Sequence, residues 1–160
     1  MFSEICDAHI HLTHCTHVQK VLEHTQYYAC CSLHTEEEWA QFDAHIAPHA
    51  HGRVCASFGV HPQNPVASFL PFVEQLARCK KIAAVGECGF DYFTPEYATC
   101  KAEQEFVWQA QVELAVSCQL PLVVHARKAM PRIFEYAAQL KKLPAVIFHS
   151  FARSEERRVG

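Results

Sequence analysis

Asp7-Ala8-His9-Ile10-His11 closes the first apolar run of the chain, Ile5–Ile10, and its reading decides the fold. Side chains alternate faces along a strand, so residues two apart project the same way. If Ile5–Ile10 is a strand, His9 and His11 leave its end together and can chelate one divalent ion. That spacing is common by itself. Its meaning depends on what stands at the ends of the other runs.

Five more apolar runs follow: Tyr27–Leu33, Val54–Val60, Ile82–Glu87, Leu120–His125 and Ala145–His149. Amphipathic or polar segments separate them. Lys101–Gln119 has helical spacing, with Phe106, Ala110, Leu114 and Ser117 or Cys118 expected on its apolar face. A second helix is expected from about Pro131 to Lys142, with Ile133, Phe134, Ala137 and Leu140 on one side. Thr35 ahead of Glu36, Glu37 and Glu38 reads as an N-cap followed by a solvated acidic first turn. Strands alternating with helices across short connections predict an α/β fold with a parallel sheet.

Polar residues recur where the runs end: His9 and His11, His61, Glu87, His125 and His149. The ends of parallel strands share one edge, so these residues are expected to converge. No G-x-G-x-x-G follows the first strand, which favours a barrel over a dinucleotide-binding sheet. Glu87 lies between Gly86 and Gly89, and burying its carboxylate costs several kcal/mol unless a cation compensates it. A set of four histidines and one glutamate suits zinc, manganese or another transition ion, and magnesium less well.

Composition narrows the setting. Half the residues are hydrophobic and 19% charged, as in a globular domain. A formal net charge of -3 argues against coating nucleic acid by bulk attraction, so a polyanion would have to be gripped locally. The apolar runs are too short to span a membrane, and the first residues lack a basic, then apolar leader. Nine cysteines without a C-x-x-C pair read as reduced thiols of a cytoplasmic protein, with Cys30, Cys31, Cys55 and Cys88 as small core residues. Of the twelve histidines, His45, His49 and His51 read as a solvated helix end, and His14, His17, His24 and His34 as surface or helix residues.

Five blocks carry a resemblance: Asp7–Leu12 (DAHIHL), Phe58–Pro62 (FGVHP), Ala84–Tyr92 (AVGECGFDY), Leu120–Ala129 (LPLVVHARKA) and Phe148–Phe151 (FHSF). In this order and spacing the chain resembles the TatD family of metal-dependent deoxyribonucleases, among the amidohydrolase-like barrels. The resemblance implies a (β/α)8 TIM-barrel fold and hydrolysis of phosphodiester bonds in DNA, often as an exonuclease. It implies His9, His11, Glu87, His125 and His149 as metal ligands, with Glu87 catalytic and shared between two divalent ions. His61 and Arg127 are candidate phosphate contacts, with a surface salt bridge as the plainer reading of Arg127. Asp91 would either orient a ligand or cap its loop. Thr13 and Pro131 stand where the family often has acids.

A (β/α)8 barrel needs about 200 residues and typically about 250, whereas about six units fill this chain. The expectation is an incomplete barrel over residues 1–152, lacking the aspartate that the family's last strands supply. Residues 153–160, RSEERRVG, are expected to be a non-native tail, because a coding sequence for them resembles a short-read sequencing adapter. No obligate protein partner is evident. Two rivals share the site: an amide, ester or lactone hydrolase, because loops rather than the barrel choose the bond, and a non-catalytic metal-binding fragment.

Overall fold

The computed structural model describes residues 4–150. Strands β1 (Ile5–Ile10), β2 (Tyr27–Leu33), β3 (Val54–Phe58), β4 (Ala84–Asp91), β5 (Leu122–Arg127) and β6 (Val146–Phe148) form one parallel sheet in chain order. Between them run α1 (Val18–Glu23), α2 (Glu36–Gln41), α3 (Leu70–Arg78), α4 (Pro95–Thr99), α5 (Lys101–Cys118), α6 (Met130–Phe134) and α7 (Ala137–Leu140). Each strand neighbours its successor, the order of a barrel wall. In a flat sheet, five steps of about 4.8 Å would hold the outer strands about 24 Å apart. Instead the rings of His9 and His149, at the ends of β1 and β6, stack with centroids 4.2 Å apart. The sheet is therefore curled, as the (β/α)8 expectation requires. The eight-residue tail lies outside the described residues, as does Phe151 of the last block.

The buried core lies between sheet and helices. Phe58 packs edge-on against Phe72 of α3, and Phe90 of β4 packs on Trp108 of α5. The expected face of α5 is corrected: Phe106 is 60% exposed, while Gln104, Val107, Trp108, Gln111, Val112 and Ala115 are buried. The two glutamines explain the rotation. Gln111 accepts from Val60 N–H at 2.7 Å and donates to its carbonyl at 3.2 Å. Gln104 does the same for Asp91, at 2.9 and 3.2 Å. Their amides satisfy backbone groups where β3 has ended and β4 ends, so the polar residues point inward.

Three smaller expectations also change. The second helix breaks into α6 and α7, and Phe134 is 64% exposed. Of the cysteines, Cys31 and Cys88 are buried but Cys55 is exposed; all nine are free. Strand β4 starts later than its apolar run and continues to Asp91, so Glu87 sits inside the strand. The β4–β5 register shifts between Val85 and Cys88, a bulge that re-aims the side chain lying within it. Gly86 and Gly89 both have positive φ, and a Cβ on either would collide with the carbonyl of Val123 or His125. Only glycine lets β4 approach β5 so closely there.

Candidate metal centre

Glu87 is 2% exposed and surrounded by imidazoles. Its Oε1 lies 2.7 Å from His125 Nδ1 and 3.2 Å from His61 Nε2, and also contacts His149 Nε2. Its Oε2 lies 3.2 Å from His9 Nε2 and 3.7 Å from His34 Nε2. Neighbouring rings follow one another around this carboxylate, His9, His11, His34, His61, His125 and His149, with centroids 4.2 to 5.6 Å apart. The circle closes where His149 stacks on His9. Every strand contributes: β1 gives two imidazoles, β4 the carboxylate, and the other four give one imidazole each, at or just past their ends.

Hydrogen bonds to the far side of each ring decide which nitrogen faces inward. His11 Nδ1 lies 3.2 Å from the Ser32 carbonyl and His34 Nδ1 3.2 Å from the Gly59 carbonyl. A carbonyl only accepts, so both rings carry their proton on Nδ1 and turn an Nε2 lone pair toward the centre. His61 is the opposite case. Its Nδ1 accepts from Gln63 N–H at 3.2 Å, so Nε2 carries the proton and donates to Glu87. His125 lies between carboxylates, with Nε2 3.0 Å from Asp91 Oδ2. Asp91 also accepts from Gln63 Nε2 at 2.8 Å and Phe93 N–H at 2.9 Å, thus orienting a ring and capping its loop together.

Burial alone would raise the Glu87 carboxyl pKa. Hydrogen bonds from His125, His149, His61 and His9 outweigh it and hold the group far below the ordinary carboxylate range. Burial, with His61 nearby, pushes His34 down to about 4, and burial with His9 nearby lowers His11. The neutral His34 lone pair on Nε2, 3.7 Å from the carboxylate, needs a cation between the two. His9 Nδ1, His34 Nε2 and His149 Nδ1 are buried without hydrogen-bond partners. Donor atoms fall within 4.8 Å of one another in three groups, His9–Glu87–His149, His11–His34–Glu87 and His61–Glu87–His125. Apart from His61, whose inward nitrogen carries the proton, these residues fit divalent ions.

Of the residues expected at the site, His9, His11, His61, Glu87, His125 and His149 converge. Arg127 does not join the circle: its guanidinium lies over the Phe93 ring, 4.0 Å from the centroid. It makes no salt bridge among the described residues. His34 corrects the sequence reading, because it belongs to the site and not to the surface. Its signal was available, since it directly follows the run Tyr27–Leu33 as His125 and His149 end theirs. Glu38 is corrected too: it accepts from the N–H groups of His34 and Thr35 and lies 2.6 Å from His14 Nε2, completing a capping box. His45, His49 and His51 are exposed as expected.

A parallel sheet curling toward a barrel, with a buried carboxylate and imidazoles gathered on its C-terminal edge, defines a (β/α)-barrel protein with a candidate metal centre. The chain belongs to the family of TatD-related DNases, whose profile matches residues 6–158. It is 32% identical over 130 residues to the 3'-5' ssDNA/RNA exonuclease TatD of Enterobacter lignolyticus, covering 78% of this chain and 47% of that protein. It is 34% identical over 110 residues to the protein so named from Yersinia pseudotuberculosis, covering 66% and 41%. It thus spans about half the length of the curated relatives it matches. The fold is similar to that of the TatD homologue YJJV from Escherichia coli, with a TM-score of 0.80, 20% identity and coverage of 98% of this chain and 64% of that one. A TatD-family hydrolase from Entamoeba histolytica gives a TM-score of 0.76 at 18% identity, with coverage of 99% and 62%. Among the described residues, no helix is long and apolar enough to cross a membrane.

Proposed function

We propose that this chain carries the metal-binding part of a nuclease that hydrolyses phosphodiester bonds in single-stranded DNA, removing nucleotides from an end. The observation that carries the reading is the circle of imidazoles around the Glu87 carboxylate. His9, His11, Glu87, His125 and His149 would hold two divalent ions, zinc or manganese in preference to magnesium. Such ions, when bound, lower the pKa of water toward neutrality and offset charge developing on phosphoryl oxygens. Glu87 divides its oxygens, Oε1 toward His125 and His149 and Oε2 toward His9, which suits a bridging carboxylate. Asp91 fixes the His125 ring by accepting from Nε2–H.

His61 has a different task. Its Nε2–H is a donor held by the Gln63 backbone, suited to a phosphoryl oxygen at the centre. Arg127 would take a phosphate with its two-pronged guanidinium, while Phe93 beneath it offers a base a stacking face. Lys128 lies 4.8 Å from the centroid of the same ring, and Lys101 4.8 Å from that of Tyr92. These cations supply the local grip that a net charge of -3 demands. The reduced thiols and the substrate suit the cytoplasm.

The overall negative charge keeps an amide, ester or lactone substrate as the second reading. Incubating single-stranded DNA, bis-p-nitrophenyl phosphate and simple esters with the protein, each with and without chelator, separates the readings. We expect DNA cleavage that the chelator abolishes and added metal restores. Ester cleavage without phosphodiester cleavage would favour the second reading, and metal binding without turnover a non-catalytic role.

A further inference from the structure

We infer that His34 is a metal ligand, forming with His11 and Glu87 a nitrogen-rich subsite that selects zinc-like ions over magnesium. The inference rests on the imidazole circle being a metal centre and adds a residue and a preference to it. Four observations carry it. The ring's one proton in its neutral form is engaged by the Gly59 carbonyl, which leaves Nε2 as a lone pair. That Nε2 is buried and has no hydrogen-bond partner. It lies 3.7 Å from Glu87 Oε2, beyond hydrogen-bond reach. Two donors each about 2.1 Å from one tetrahedral ion are about 3.4 Å apart, so the gap has the width an ion needs.

The fourth observation is rigidity. Both rings hang on strand-end carbonyls, His11 on Ser32 and His34 on Gly59. The His34 backbone N–H donates to Glu38 Oε2 at 2.6 Å, and that carboxylate is locked into the cap of α2. A ligand fixed from both ends loses little freedom on binding an ion, which is how supporting contacts raise affinity. His61 shows what a neighbour of Glu87 that is not a ligand looks like: its proton points inward and donates to the carboxylate. His34 points a lone pair there instead. Two imidazoles and one carboxylate suit a borderline ion, whereas magnesium retains water and prefers oxygen.

The test is a zinc titration of metal-free protein followed by long-range proton–nitrogen NMR correlation of the imidazoles. It is paired with calorimetric titrations of His34→Ala by zinc and by magnesium. We expect the His34 Nε2 resonance to move on zinc binding while Nδ1 keeps its proton. In H34A, one zinc affinity should fall by at least about tenfold, the scale seen even for ligand-supporting contacts, with magnesium binding unchanged. Zinc moving the His9 and His125 resonances but not His34 would overturn the inference and leave the metal centre standing. Zinc moving none of them would overturn both. The NMR titration uses the unaltered protein, so it decides the matter even if the variant fails to fold.

Discussion

Glu87 bears its negative charge in contact with five ring nitrogens, and most of the site's electrostatics follow from it. Glu87→Gln keeps the volume but removes the charge that lets lone pairs and ions share the space. We expect it to lower zinc affinity by more than about 100-fold, the upper range for ligand-supporting contacts, measured by competition with a chelating dye. His61→Ala should behave differently, because its donor faces Glu87 and, in the proposed nuclease, a phosphoryl oxygen. Activity should fall by about 100- to 1000-fold with zinc affinity little changed, in a steady-state assay beside calorimetry. Equal losses in both would make His61 a ligand. Glu38 gives a prediction in pH. Burial would raise its pKa, but hydrogen bonds from His14 and from the N–H groups of His34 and Thr35 outweigh it and hold it below 4.5. A depressed carboxyl stabilises the fold fully above 4.5, and that contribution disappears as pH falls through the lower folded value. Urea unfolding of Glu38→Gln should therefore show a shallower acid-side loss than the parent. At this scale His9, His11, His61, Glu87, His125 and His149 were legible because each ends a run. His34 and Glu38 were masked by sitting in a plausible helix start, where polar residues are ordinary.

Strands were more legible than helices. The runs Ile5–Ile10 and Tyr27–Leu33 coincide with β1 and β2; the end of β2 is buried, whereas β1, at the edge of the sheet, has no buried residue and carries Asp7 and His9 within its run. Helix α5 was found but turned the wrong way, since apolar periodicity ranks Phe106 as core and Gln111 as surface. The requirement that outweighs it is satisfaction of the Val60 backbone, which no pattern of hydrophobicity records. Gln111→Leu should cost about 2–4 kcal/mol in chemical denaturation, from two buried polar groups left unpaired. Phe106→Ser should change stability by less than about 0.5 kcal/mol, and Trp108→Ala should cost about 3–5. The reverse order would restore the apolar face read from sequence. The break between α6 and α7 was equally illegible, because Ile133 and Leu140 keep helical spacing across it.

The whole molecule depends on curvature. His9 and His149 meet only because the sheet bends, so an ion held among Glu87 and its imidazoles ties β1 to β6 through the centre. Zinc at about 100 times its dissociation constant should add about 2.7 kcal/mol of stability, read as a rise in thermal midpoint that Glu87→Gln abolishes. The barrel class was legible from strands alternating with helices and from the missing dinucleotide glycines. The bulge in β4 was not, because it depends on the close approach of β4 and β5 at Gly86 and Gly89. The central claim is that this convergence is a metal centre. Anomalous diffraction at the zinc edge from zinc-soaked crystals tests it most directly. The account predicts a peak about 2.0–2.2 Å from a Glu87 oxygen and from ring nitrogens of the surrounding histidines. Zinc bound only elsewhere, with no peak beside Glu87, would contradict it.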